Sequence, residues 1–176
     1  MAAGKNTDST FNASVANQTD FSADTYLVGS SIELGRPPTA GRATYRLTFD
    51  MTKTAAGTAT PTIIVRFGTA GTVADTARLT FTFAAGTAAA DTGIFEVCAT
   101  IRTAGATATA AGWAKCTHHL AATGLVSTGA SGSGIILATA ASFDATVAGS
   151  IIGASFNGGA SFAGTNTLVQ ADWQNY

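Results

Sequence analysis

The stretch "RATYRLTFDM", residues 42–51, decides the fold class of this chain, because polar and apolar residues alternate along its whole length. The polar set and the apolar set are, in turn, Arg42, Thr44, Arg46, Thr48 and Asp50, and Ala43, Tyr45, Leu47, Phe49 and Met51. Successive side chains of a β-strand point to opposite faces of the sheet, so this alternation predicts a half-buried strand. The stretch "RLTFTF", residues 78–83, repeats the pattern and predicts a second strand of the same kind.

The rest of the chain continues in short segments of this type, separated by connectors rich in Gly, Thr and Ala. Further strands are predicted at 25–34, 61–67, 94–102, 109–119, 133–140, 149–156 and 165–173. No window keeps apolar residues at helical spacing, although Ala, which favours helices, is abundant. We therefore predict an all-β fold, an antiparallel β-sandwich of about eight strands. Its hydrophobic face is predicted to include Leu47, Phe49, Leu79, Phe81, Phe83, Phe95, Val97 and Ile101.

The chain divides into a polar N-terminal arm, residues 1–22, and one sandwich domain, residues 23–176. The arm shows no sustained period and contains two isolated aromatic residues, Phe11 and Phe21. Such a segment buries too little apolar surface to fold alone, so we expect an extended arm outside the core. It also lacks the apolar centre of a signal peptide, which indicates that the protein folds inside the cell that makes it.

Charged residues are sparse, at 11% of the chain, and the net charge is −1. This balance gives no electrostatic basis for binding nucleic acid or an anionic membrane. No apolar run approaches the roughly 20 residues that a membrane-spanning helix needs. A soluble protein with so few charges either covers itself with hydroxyls and amides or buries much of its surface in an assembly, which is a first indication of a structural role.

The triplet Ala-Asp-Thr occurs three times, at 23–25, 74–76 and 90–92, each time just before an apolar alternation. Asp and Thr side chains accept hydrogen bonds from backbone N–H groups two residues further on, so the favoured interpretation is a repeated turn. Calcium binding is the alternative. It needs several oxygen ligands at each site, and single, well-separated Asp residues supply few.

Motifs for catalysis are missing from the sequence. His118 and His119 are adjacent and would point to opposite faces of a strand, and with Cys98 and Cys116 they lack zinc-site spacing. No nucleophile elbow, phosphate-binding loop or His-Glu-x-x-His sequence is present. The acidic residues available for a glycosidase pair, which can still meet in space, are Asp50, Asp75, Asp91, Glu96, Asp144 and Asp172. We expect no enzyme activity, no cofactor and no metal.

The two cysteines test the strand register. If 94–102 and 109–119 form a hairpin across the loop "TAGATA", Cys98 and Cys116 lie on neighbouring strands. Pairing about Thr107 would place both thiols close together on one face of the sheet. A reducing cytoplasm disfavours a bridge, so we expect two free thiols.

The stretch "YRLTFDMTKTAAGTATPTIIVRFGTAGTVADTARLTFTF" (45–83), with "GTAAADTGIFEV" (86–97), resembles a domain of virion structural proteins from tailed bacteriophages. The run "FDMTKTAAGTATP" is its most specific part. "CTHHLAATG" (116–124) resembles a further stretch of that domain, and a weaker similarity extends from Tyr26 to Trp173. The resemblance implies a small jelly-roll-like β-sandwich located on a virion, assembled in the bacterial cytoplasm, without known catalytic residues. It also implies a homotrimer.

Two functions follow from this resemblance. In the first, the protein is a capsid-decorating (cement or head-fibre) protein bound to other virion proteins, the major capsid protein above all. The residues that we expect to bind this partner are Phe11, Phe21, Arg36, Arg42 and Arg46. The first function is favoured, because the chain has an arm but no heptad-rich shaft of the kind that fibre proteins carry.

In the alternative, the protein is a tail-fibre or baseplate adhesion module that binds a host cell-surface glycan through the loops 123–134 and 157–164. Trp113, Trp173 and Tyr176 are candidates to stack on a sugar or to anchor a partner. The competing interpretation of these aromatic residues is that they cover the ends of the core or pack in a subunit interface.

Overall fold

The computed structural model of the chain describes residues 8–54, 57–58, 60–118, 124–126 and 135–176. Within these residues the regular secondary structure consists of strands alone. The strands are β1 (Asp8–Ala13), β2 (Gln18–Thr19), β3 (Thr25–Tyr26), β4 (Ile32–Glu33), β5 (Ala43–Lys53), β6 (Thr62–Gly68), β7 (Thr76–Thr82), β8 (Asp91–Thr103), β9 (Thr109–His118), β10 (Ile135–Thr139), β11 (Ile151–Asn157), β12 (Gly164–Asn166) and β13 (Val169–Asn175).

These strands form two antiparallel sheets, which confirms the predicted all-β fold class. The large sheet has the order β1-β13-β5-β8-β9-β10, with β12 also on β5 and β2 on β12. The small sheet has the order β3-β11-β6-β7, with β4 also on β11. The described strands outnumber the predicted eight because irregular residues divide two of the predicted segments and because β1 and β2 lie in the predicted arm. Residues 25–34 form β3 and β4, and residues 165–173 fall in β12 and β13.

The core lies between the two sheets and is rich in aromatic rings. All eight residues predicted for the hydrophobic face are buried. Phe95 of β8 stacks on Phe49 of β5 with ring centroids 5.1 Å apart, and Phe156 of β11 meets both rings at 5.5 and 5.7 Å. The alternation along β5 thus places its apolar set against the small sheet and its polar set on the opposite side, as the sequence predicts.

The prediction of an arm outside the core is wrong for residues 8–22. β1 pairs along its whole length with β13, and Phe21 is fully buried, in an edge-to-face contact with Phe156 whose ring centroids are 5.7 Å apart. An edge strand is held by backbone hydrogen bonds on one side, which need no hydrophobic periodicity, so the sequence carried no signal for β1. The first seven residues of the predicted arm lie outside the described residues.

The predicted hairpin of β8 and β9 is present, but its register differs from the prediction. Cys98 lies opposite Trp113, and Cys116 lies opposite Phe95. Phe95, the residue opposite Cys116, lies three positions before Cys98 on β8. Because three is an odd number, the two cysteines occupy opposite faces of the sheet, with Cys116 in the core. Both are free thiols, as expected, but the prediction that they share one face is wrong. The register shifts between Ile101 and Thr103, an irregularity that regular pairing about Thr107 does not include.

The Ala-Asp-Thr triplet at 74–76 forms a turn, as predicted. The Asp75 carboxylate accepts hydrogen bonds from the backbone N–H groups of Ala70 at 2.9 Å and Gly71 at 2.7 Å. These bonds run back to residues four and five positions earlier, not forward to the next two. Asp75 therefore holds the loop between β6 and β7 in place.

The other two triplets have different roles. Asp91 belongs to β8 and is buried, so the prediction of a turn at 90–92 is wrong. Asp24 forms an ion pair with Arg66, whose side chain is largely buried on the outside of the small sheet. The aspartates of the three identical triplets therefore have three different roles. Asp75 holds a loop, Asp91 begins a strand and Asp24 forms an ion pair, because different residues fold against each of them.

Candidate binding surface on the large sheet

The outer face of the large sheet, which points away from the core, is an extended surface of apolar and hydroxyl groups. One row of directly opposed residues crosses this face from β1 to β10, namely Phe11, Asp172, Arg46, Cys98, Trp113 and Leu137. Side chains opposite each other on one face of an antiparallel pair lie side by side. The row therefore brings residues distant in sequence into one surface.

Exposed apolar side chains are concentrated on this face. Of the eleven large hydrophobic residues exposed in the described part of the chain, six lie on it: Phe11, Ile94, Trp113, Ile135, Leu137 and Leu168. The exposed fraction reaches 79% for Leu137 and 64% for Phe11. Single exposed apolar residues are ordinary on protein surfaces, but several on one face indicate a contact site.

Two positive residues of the outer face lie directly opposite acidic residues on neighbouring strands. Lys115 of β9 contacts Glu96 of β8 at 3.4 Å, and Arg46 of β5 lies directly opposite Asp172 of β13. These opposed charges leave the face with little net field. A partner that fits this surface is therefore one of neutral and apolar character, not a polyanion.

Beside Ile94 the face carries a shallow depression of about 360 Å³. Its lining combines the Ile94 side chain with Asp50, Thr92 and Thr117 of neighbouring strands. The Asp50 carboxylate is already occupied, because it accepts hydrogen bonds from the backbone N–H groups of residues 167 and 168, both at 2.8 Å. The depression is thus suited to an inserted apolar side chain more than to a charged ligand.

The structure brings together some of the residues expected to bind a partner and separates others. Phe11 and Arg46 share the outer-face row, and Arg42 has the same parity as Arg46 just before β5 begins. Arg36 points elsewhere, because its Nη2 donates to the Asn175 carbonyl oxygen at 2.5 Å. Phe21 lies in the protein's own core, so the prediction that it anchors a partner is wrong.

Sequence reasoning identified part of this surface from its aromatic residues. Trp113 is partly exposed on the outer face, and Tyr176 is exposed at the end of the chain. Trp173 is fully buried, as in the interpretation that these rings cover the core. Ile135 and Leu137 were missed as site residues. Their alternate spacing in "IILAT" was the available signal, but only the pairing of β10 with β9 shows which face they occupy.

A second group of chemically interesting residues, the buried polar cluster, lies at one end of the core. It consists of Lys53, Asp91, Cys116 and His118, on the inner side of β5, β8 and β9. Asp91 Oδ2 accepts from the Leu125 backbone N–H at 2.9 Å and lies 2.5 Å from His118 Nδ1. The cluster therefore ties residues 124–126 to the sheet.

Lys53 is fully buried and lies directly opposite Asp91 in the sheet. Its Nζ donates to the carbonyl oxygens of Thr54 at 3.3 Å, Thr87 at 3.0 Å and Ala89 at 3.2 Å. Burial lowers the pKa of Lys53, and the nearby Asp91 charge opposes that shift. Three donated hydrogen bonds match the three protons of an ammonium group, so Lys53 acts as a brace for the segment before β8.

The cluster is not arranged as a nucleophile with its base. Nε2 of His118 has no hydrogen-bond partner among the described residues, so no hydroxyl or thiol there is linked to the imidazole. Burial, with a smaller contribution from the Asp91 charge, raises the pKa of Cys116 to about 12. The Cys116 thiol is therefore protonated at neutral pH and unreactive. In the described part of the chain, no three His, Cys, Asp or Glu residues group as metal ligands.

Comparisons with known proteins leave this geometry as the main guide to function. No protein-family model and no curated protein matches the chain. The described ranges also contain no helix of sufficient length and apolarity to span a membrane.

Proposed function

We propose that this chain is a non-enzymatic structural protein of a bacteriophage virion, and that it decorates the capsid by docking the outer face of its large sheet on the major capsid protein. The observation that supports docking is the concentration of six exposed large apolar residues on one face. The proposal of a virion rests on the resemblance of residues 45–97 to tailed-phage structural domains.

Surface charge supports a protein partner over the other classes. Charges of opposite sign lie opposite each other on the outer face, and the chain carries a net charge of −1. Binding to a nucleic acid would need a basic surface, whereas a partly apolar face with a polar margin is typical of protein interfaces. Protein partners are recognised by a few buried apolar anchors, and Phe11 and Ile94 are suited to this role.

The adhesion alternative is not favoured by its loops. The loop 157–164 folds its aromatic residue inward, because Phe162 is buried against Phe156 with ring centroids 5.7 Å apart. Most of the loop 123–134 lies outside the described residues. The described residues of these loops therefore give no support to glycan binding.

The test is co-sedimentation of the purified protein with capsids that lack it. Phe11→Asp and Ile94→Asp should each weaken binding tenfold or more, because a charge would be buried at an apolar contact. Val73→Asp is the matched control, since Val73 is exposed at 45%, close to the 46% of Ile94, but lies in the loop before β7. Equal binding by all three variants would refute docking by this face. Binding to host cells and not to capsids would favour the adhesion alternative.

A further inference from the structure

β10 is an edge strand of the large sheet, and no other strand of the described residues pairs along its outer side. Its sequence, Ile-Ile-Leu-Ala-Thr, contains no charge and no proline, and among the described strands it pairs with β9 alone. Ile135 and Leu137 are exposed at 62% and 79%. Natural proteins usually protect an exposed edge with Lys, proline, a bulge or a covering segment, because a bare edge invites another strand to pair.

Two other edge strands of the sandwich carry such protection. On β1, Asn12 donates its side-chain amide to the Ser31 carbonyl oxygen at 2.7 Å, so a neighbouring segment covers that edge. On β7, Arg78 places a charge at the edge, 4.8 Å from the centre of the Phe143 ring. β10 lies near β7 but is not paired with it. The contrast identifies β10 as an edge suited to further pairing.

The hydrogen-bond pattern shows which backbone groups of β10 face outward. The Ala140 N–H donates to the Ala110 carbonyl at 2.8 Å, and the same register continues through the strand. In an antiparallel ladder the bonded pairs recur at every second residue, so residues 136, 138 and 140 bond to β9. The N–H and C=O groups of Ile135, Leu137 and Thr139 therefore point away from the sheet.

From this geometry we infer that β10 pairs antiparallel with β10 of a second copy of the chain, about a two-fold axis at Leu137. Leu137 is the central residue of the strand, so it would lie opposite Leu137 of the second copy, and Ile135 opposite Thr139. The two large sheets become one continuous sheet. The outer-face row then runs through Trp113 and Leu137 into the same residues of the second copy.

A second copy fits this edge better than an unrelated strand. The strand is self-complementary, with its apolar centre on the symmetry axis, which is the property of a two-fold interface. It also carries no charge that would select a partner of opposite sign, and copies with a net charge of −1 repel little. A closed trimer is formed by two different patches on each copy, whereas the proposed dimer pairs the same strand with itself. A trimer that does not use β10 would therefore contradict this inference. The dimer does not depend on the proposed virion function.

The first experiment measures the mass in solution of the wild type and of Leu137→Lys by analytical ultracentrifugation. An edge of five residues buries less surface than a standard interface, so we expect a weak dimer. The wild type should be dimeric once its concentration reaches about 100 µM. Leu137→Lys places like charges opposite each other and should weaken the dimer at least tenfold. Val147→Lys, the same change at an exposed residue away from β10, should leave it intact.

The second experiment tests the register with introduced cysteines in a Cys98→Ser background. Leu137→Cys should form a disulfide-linked dimer under mild oxidation, because opposed residues lie within the bridging range of about 4.4–6.8 Å between Cα atoms. Thr139→Cys should not cross-link to itself, because its partner would be residue 135. A wild type that stays monomeric, an assembly insensitive to Leu137→Lys, or equal cross-linking of both cysteine variants would overturn the inference.

Discussion

Asp91→Asn is the substitution that tests most directly how the buried polar cluster stabilises the fold. It keeps the shape of the side chain but removes a negative charge that lies opposite the buried Lys53. It also converts the bonds to Leu125 N–H and His118 Nδ1 from charge-assisted to neutral hydrogen bonds, which are about half as strong. Breaking one side of a buried charge pair destabilises a protein by about 3–5 kcal/mol.

Urea denaturation followed by the fluorescence of the buried Trp173 measures this loss. With a urea dependence of about 2 kcal/mol per molar for a protein of this size, the midpoint should fall by about 2 M. Asp144→Asn is the control, because Asp144 is exposed and its carboxylate accepts hydrogen bonds from the nearby Thr146, with the backbone N–H at 2.8 Å. The control should leave the urea midpoint almost unchanged, because substitutions at exposed sites have small effects.

The double variant Lys53→Met with Asp91→Asn separates charge pairing from simple packing. If the uncompensated ammonium of Lys53 causes the loss, the double variant should be more stable than the sum of the two single effects predicts, by about 0.5–3 kcal/mol. Strict additivity, or a midpoint shift below about 0.5 M for Asp91→Asn alone, would refute this account of the cluster.

Three further substitutions probe the core, a loop and a strand. Because the pKa of Cys116 is raised, its contribution to stability is complete below the ordinary thiol pKa of 9.0 and is lost as pH rises towards about 12. Cys116→Ala should therefore flatten the decline of the unfolding free energy above about pH 9, and an unchanged decline would contradict this assignment. Arg66→Met removes the hydrogen bonds to the Val73 and Asp75 carbonyl oxygens and should lower the free energy of unfolding by about 3 kcal/mol. Backbone hydrogen exchange should become faster first in the loop before β7, and unchanged exchange there would contradict this role. Gly112→Ala would place a Cβ 2.5 Å from the Cys98 carbonyl oxygen. It should therefore lower the free energy of unfolding, measured by urea titration, by about 1–3 kcal/mol. An unchanged free energy would mean that β8 and β9 can separate slightly.

The all-β fold and most of its core could be predicted from the sequence, because both depend on local alternation. A strand buries every second residue, so "RATYRLTFDM" identifies Leu47 and Phe49 as core residues without knowledge of their neighbours. The hairpin across "TAGATA" was equally local, since its turn joins two adjacent strands. These features need only the period of the pattern and the chemistry of a turn.

Pairing between distant segments was decided by the tertiary structure alone. β1 joins β13 through backbone bonds that any sequence can make, so nothing in residues 8–13 marked them as a strand. The irregularity near Ile101 moved Cys98 and Cys116 to opposite faces, because a one-residue shift reverses every side chain that follows. The outer-face row joins Phe11, Arg46 and Trp113 only after five strands have paired. Alternation determines which side of a strand is buried, whereas the neighbours that a side chain meets depend on registers that are set by the whole sheet.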